Sequence, residues 1–146
     1  MEVFIDADGC PVTKAAAALA QKAGISCTLL CDTAHEFSIP GTRTVTVSKG
    51  ADSVDFALVN LLHPGDLVVT QDYGLAAMCL SRGARVIHQD GMVYTDENID
   101  SLLFFRAAAK KLRNTGGRLK GPSRRTKAQD DAFAASFSKL LQEAAP

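Results

Sequence analysis

The sequence contains no tryptophan and only two tyrosines in 146 residues, so the aromatic stacking platform typical of many RNA-binding modules is not visible in it. It lacks any Cys-x-x-Cys pair. Cys10, Cys27, Cys31 and Cys79 sit in or beside apolar segments, which argues against a zinc knuckle or a disulfide framework and predicts reduced, packed cysteines. Cys10 differs in lying near the start of a helix, where a thiolate is favoured, with nearby carboxylates opposing it. No basic stretch leads into a long apolar run, and Asp6 and Asp8 interrupt the first one. A signal peptide and a membrane span are therefore not expected, and a cytoplasmic protein without a membrane partner is. Also missing are P-loop spacing, a Gly-x-Ser-x-Gly elbow and any ligand spacing among His35, His63 and His88, which are expected at the surface.

What is present suits a single compact domain spanning residues 1–146, with 47% hydrophobic residues, enough to bury a core without staples. The zero net charge conceals a division. Residues 1–100 carry 6 basic and 13 acidic side chains, whereas residues 101–146 carry 10 and 3. Such polarity fits an acidic site flanked by a nucleic-acid-binding surface, and fits self-association equally well.

Apolar periodicity alternates between strand and helix. Residues 3–5 read as a buried strand, followed by a helix from Pro11 to Ala23 that Gly24 closes. "ISCTLLC" and "TRTVTVS" read as strands two and three, with "DTAHEFSIPG" as the loop between them. "DSVDFALVNLL" carries one apolar helical face and "HPGD" ends it. "LVVT", a helix over "LAAMCLSRG" and the strand "ARVIH" follow. Thr95 caps a further helix that begins with Asp96 and Glu97 and runs to Arg113. A basic loop over residues 114–127 precedes a C-terminal amphipathic helix. Phe104, Phe105, Phe133 and Phe137 are assigned to the core. The fold class is α/β: a three-layer α/β/α arrangement around a mostly parallel sheet, because parallel neighbours need crossovers and the crossovers cover both faces.

In such sheets ligands bind beyond the carboxyl ends of the strands. Asp6 and Asp8 follow the first strand, Asp52 and Asp55 the third, and Asp72 the fourth, so all five belong on one rim. Asp52 and Asp8 are also placed to cap the helices that follow them. Asp6 and Asp72 project at the strand ends themselves, where neighbouring negative charges are costly unless a cation neutralises them. A hard divalent ion, Mg²⁺ or Mn²⁺, takes oxygen ligands of this kind, and a pair of such ions can activate water on one side of a phosphodiester while stabilising the departing oxygen on the other.

The blocks "FIDADGCPV", "SKGADSVDFALVNLL", "VVTQDYGLAA" and "KGPSRRTKAQDDAF", in this order across nearly the whole chain, resemble the YaiI/YqxD family, uncharacterised bacterial proteins with a PIN-like domain. PIN-like domains are typically metal-dependent ribonucleases. The resemblance implies that Asp6 corresponds to their first-strand acid, Asp72 to the later strand-end acid and Asp52 to the middle acid, with Asp55 competing for that role and Asp8 as an extra acid. The expected activity is therefore a nuclease acting on RNA, with Asp6, Asp52 and Asp72 as metal ligands assisted by Asp8 or Asp55.

Residues 101–127 contain nine basic side chains and no acidic one. Arg106, Lys110 and Arg113 gather along a helix, while Arg118, Lys120, Arg124, Arg125 and Lys127 fall in the loop, where they are expected to contact a phosphate backbone. Lys14, Tyr73 and Asp90 are minor candidates near the rim, with a turn as the other role for Asp90. Two further readings stay open. "DADGC" resembles the Asp-x-Asp-Gly-Thr/Val signature of haloacid-dehalogenase phosphatases, with Asp6 as a covalent nucleophile. Alternatively the chain is a non-catalytic RNA-binding or adaptor protein.

Overall fold

The computed structural model of the protein describes residues 1–32, 38–50, 52–116 and 124–144. Its strands are β1 (Glu2–Asp6), β2 (Ser26–Asp32), β3 (Arg43–Val47), β4 (Leu67–Val69), β5 (Arg85–Ile87) and β6 (Val93–Tyr94). Its helices are α1 (Thr13–Lys22), α2 (Ser53–Leu61), α3 (Tyr73–Ser81), α4 (Asp96–Asn114) and α5 (Lys127–Ala144). The strands form one sheet in the order β3-β2-β1-β4-β5-β6, parallel throughout except for β6, which returns antiparallel to β5. This is the three-layer α/β/α arrangement that the sequence pattern predicts.

Alternation along each strand explains the layers. Val3, Ile5 and Ala7 face a core closed by α1 and α5, together with Leu29, Leu67, Val69, Phe133 and Phe137. Phe4, one residue out of phase, faces the opposite core with Leu30, Val68, Leu58, Leu75 and Tyr94, closed by α2, α3 and α4. A strand buried on both faces reads as an unbroken apolar run, as "VFI" does. On α1 the residues turned to the sheet are Ala16, Ala17 and Ala20, all fully buried. Their small side chains let the helix lie close to the strands.

The chain leaves β1 through α1 to reach β2 on one side, whereas β3 leads through α2 to β4 on the other. Adjacent strands β1 and β4 thus send the chain in opposite directions from their carboxyl ends. That reversal opens a crevice, the place where open α/β sheets bind ligands.

Three expectations are corrected. The first helix begins at Thr13 rather than Pro11, with Val12 at its N-cap and no side-chain cap bond. Asp8 is not at the cap position of that helix, and its Oδ2 accepts the backbone N–H of Asp32, 3.0 Å away, at the end of β2. The two-residue strand β6 lies in a stretch to which the sequence pattern assigns no element. Phe133 and Phe137 are buried and stacked with centroids 5.2 Å apart, but Phe104 and Phe105 are 69% and 66% exposed. α4 is apolar on two sides, and it turns Ile99, Leu102 and Leu103 inward instead. Its start agrees with expectation. The Thr95 hydroxyl accepts the Asn98 N–H at 3.1 Å and Asn98 Oδ1 accepts the Thr95 N–H at 2.9 Å, a reciprocal capping box.

Candidate functional site

Six carboxylates, Asp6, Asp8, Asp32, Asp52, Asp55 and Asp72, line one open cleft of about 270 Å³ at the carboxyl rim of the sheet. The five acids expected there are all present. Asp32, the sixth, was missed: it ends β2 in "LLCD" just as Asp6 ends β1, so the strand-end rule applied to it equally.

Each acid is held differently. The Asp6 Oδ2 accepts the Thr70 hydroxyl at 2.9 Å, and the same hydroxyl oxygen accepts the Asp72 N–H at 3.0 Å. Thr70 is itself buried, and its carbonyl accepts the Tyr94 hydroxyl at 3.1 Å, so one side chain ties the ends of β1 and β4 together. Sequence reading passed over Thr70, because a threonine ending a strand looks like ordinary β-propensity. Asp72 caps α3, its Oδ1 accepting the N–H groups of Gly74 at 2.8 Å and Leu75 at 3.2 Å. The same oxygen takes Arg106 Nη1 at 3.2 Å, from α4.

Asp52 does not cap α2 as expected. It occupies the N-cap position in the left-handed region (φ 61°), with no side-chain cap bond, and is the one non-glycine residue among those described with positive φ. Aspartate tolerates this conformation better than most residues, and it still carries a cost on the order of 1 kcal/mol. Asp55 lies one turn into α2, where the helix dipole favours an acid.

Burial, and after it crowding, shows in the titration of the cleft. Burial pushes Asp6 up to about 6, with the carboxylates of Asp55, Asp72 and Asp8 adding to the effect and the Thr70 hydroxyl opposing it. Asp55 is likewise raised to about 6, first by burial and then by Asp72 and Asp52, while Arg106 pulls it down. The contrast with Asp66, at the opposite end of β4, is instructive. That buried acid accepts the backbone N–H groups of Glu2 at 2.9 Å and His63 at 2.8 Å and is satisfied internally.

The cleft's donors are all hard oxygens, the set that suits Mg²⁺ or Mn²⁺. Among the described residues no three acidic, histidine or cysteine side chains are grouped tightly enough to hold one ion by themselves. A second recess of about 300 Å³, lined by Gln71, Asp72, Tyr73 and Arg106, adjoins the first and shares Gln71 and Asp72 with it.

Comparison with known sequences gives a clear relationship. The family described as "Uncharacterized BCR, YaiI/YqxD family" matches residues 4–143. The chain belongs to the YaiI/YqxD family. It is 51% identical over 143 residues to a UPF0178 protein of Exiguobacterium sibiricum, covering 98% of each chain. It is 47% identical over 143 residues to a UPF0178 protein of Clostridium acetobutylicum, covering 97% of each. A UPF0178 protein of Ruminiclostridium cellulolyticum is 46% identical over 133 residues, 91% of this chain and 87% of that one. No solved structure matches the chain significantly.

In this YaiI/YqxD chain the basic residues have different fates. Arg125, expected to contact phosphate, is committed internally. Its Nε donates to Asp130 and its Nη1 to Asp90, both at 2.6 Å, and its Nη2 donates to the Gln89 carbonyl at 2.7 Å. It fastens the start of α5 to the turn between β5 and β6, and it gives Asp90 both a turn position and an ion-pair partner. Arg124 is exposed, and Lys127 is exposed with Asp131 at 3.2 Å. Arg118, Lys120 and His35 lie outside the described residues. Lys14 is exposed on α1. His88, expected at the surface, is half-buried against Tyr73 and Tyr94, and burial lowers its pKa. Its Nδ1 accepts the Asp90 N–H at 3.0 Å, the arrangement of a neutral ring. Burial also raises the Cys10 thiol, and Asp6 adds to that shift, so the nearby carboxylate opposes a thiolate as expected.

Proposed function

We infer that this chain hydrolyses phosphodiester bonds of RNA at the acidic cleft, with Mg²⁺ or Mn²⁺ as cofactor. The observation that carries this reading is six carboxylates on one rim of a chain with zero net charge, two of them pushed up to about 6. Some of these acids also serve the fold, but gathering six like charges on one rim costs free energy that a bound cation would offset. A bound divalent cation supplies charge neutralisation on phosphate and a water of lowered pKa. Mg²⁺ dehydrates reluctantly and is commonly held by one or two carboxylates plus substrate oxygens, so it would not need three protein ligands at one point.

The chain's own residues divide the remaining work. Thr70 holds Asp6 in place at the end of β1, and the α3 N-terminus fixes Asp72. Arg106 pairs with Asp72 with its side chain more than half exposed, so a phosphate entering the cleft can compete for it, and planar guanidinium is well matched to phosphate oxygens. Gln71 and Tyr73 line the recess beside it, where the adjoining nucleotide would rest.

The test is cleavage of a single-stranded RNA oligonucleotide by pure protein. Activity should appear with Mg²⁺ or Mn²⁺, vanish with chelator, and be lost in Asp6→Asn and Asp72→Asn. Undiminished cleavage in both variants would remove the assignment. A phosphoaspartyl adduct trapped on Asp6 would replace it with the phosphatase reading, and salt-sensitive RNA binding without any cleavage would replace it with the adaptor reading.

A further inference from the structure

We propose that the outer face of α4 is a self-complementary interface that pairs two copies of this chain, antiparallel, about a two-fold axis near Phe105. α4 has two apolar sides. Ile99, Leu102 and Leu103 close the core over α3, whereas Phe104, Phe105 and Leu112 remain 69%, 66% and 43% exposed. Positions 101, 105, 108 and 112 follow the alternating four-and-three spacing of a helix-pairing seam, and they hold Ser101, Phe105, Ala108 and Leu112, all exposed. The row beside the seam at the same spacing holds Glu97, Asp100, Phe104, Ala107 and Lys111, all exposed as well.

Charge along this face selects the partner and its direction. The first turns of α4 carry Asp96, Glu97 and Asp100, and its last turns carry Lys110, Lys111 and Arg113. The helix spans Asp96–Asn114, 19 residues, so Phe105 is its middle residue. Antiparallel pairing about that point sets Glu97 and Asp100 of each copy beside Lys111 of the other, and opposes the two helix dipoles favourably. Parallel pairing would set acids against acids. A nucleic acid laid along the whole face would meet the same acids, which is why a second copy fits the face better. The apolar side chains offer on the order of 400–500 Å² per copy, close to the lower limit of a specific interface, so the contact should be reversible. Arg106 leaves the helix toward Asp72, not through the seam, so pairing leaves the acidic cleft open. The inference does not depend on what that cleft does.

The test is sedimentation velocity of the full chain across a concentration series. The expected result is a monomer–dimer equilibrium that Phe105→Glu moves to monomer. Lys111→Glu alone should weaken pairing at least tenfold, and so should Glu97→Lys with Asp100→Lys. A mixture of those two variant proteins should form a heterodimer as well as the wild type pairs, because each then presents the charge the other needs. All positions are on the surface, and far-UV circular dichroism confirms that each variant is folded. A wild-type chain that stays monomeric at the highest concentration overturns the proposal, as does a dimer that none of these variants affects. If the chain is monomeric and Phe104→Ala with Phe105→Ala abolishes binding to a single-stranded RNA oligonucleotide, the face is a stacking surface instead.

Discussion

Replacing Asp6 by Asn should stabilise the metal-free protein at pH 8. In the unfolded chain this carboxyl titrates near its ordinary 3.8, and in the folded protein near about 6, chiefly because of burial. Between those values the folded state binds the proton more tightly than the unfolded state. Stability is therefore lost as pH rises through the window from about 4 to 6 and stays lost above it. A difference of about 2 units corresponds to a ceiling near 3 kcal/mol. The cleft is open to solvent, which screens the neighbouring carboxylates and brings the expected gain to about 1–2 kcal/mol. Asparagine keeps an oxygen that can accept the Thr70 hydroxyl, so the substitution removes charge while leaving the contact that positions residue 6. Urea unfolding with chelator present, at pH values from 4 to 8, measures the effect. The variant should match the wild type near pH 4 and exceed it above pH 7. Added Mn²⁺ should then raise the wild type and leave the variant unmoved, since a ligand stabilises only the state that binds it. If Asp6→Asn is less stable than the wild type at pH 8, with an unchanged pH slope, the cleft holds its carboxylates without strain and the electrostatic argument is wrong.

Thr70→Val removes the hydroxyl shared by Asp6 and the Asp72 N–H, which should cost about 1–3 kcal/mol in urea unfolding and abolish metal-dependent cleavage. Gly91→Ala should destabilise by at least about 2 kcal/mol, because at φ +97° the added Cβ would stand 2.7 Å from the Ala132 carbonyl oxygen in α5; an unchanged melting temperature would contradict that packing. Arg125→Ala should lower stability by about 1–3 kcal/mol while leaving the salt slope of RNA binding unchanged. Arg106→Ala should do the reverse, reducing that slope by about one with little effect on urea unfolding.

Much of the acidic rim was legible because two period-based rules reinforce each other. Strand-helix alternation implies a parallel sheet, and a parallel sheet gathers strand ends on one edge, so Asp6, Asp52, Asp55 and Asp72 could be placed together from spacing alone. Asp32 obeys the same rule, but no helical pattern follows it, so it read as the start of a loop. Periodicity also identifies an apolar face without saying what covers it. In α4 both Ile99 and Phe105 lie on apolar rows, and only the packing against α3 shows which row is inside. Arg125 illustrates the limit for charge. A cation in a glycine-rich basic stretch looks solvated, and its three internal acceptors lie 5 and about 35 residues away in the chain, beyond the reach of local pattern. The two-residue β6 is too short to carry any period.

The most direct test of the cleft's role is anomalous scattering from crystals of the full chain grown with Mn²⁺. The account predicts a Mn²⁺ peak within the cleft bounded by Asp6, Asp52, Asp55 and Asp72, weakened or lost in Asp6→Asn crystals. A cleft without a peak under saturating Mn²⁺, or a peak bound only elsewhere on the molecule, would contradict it.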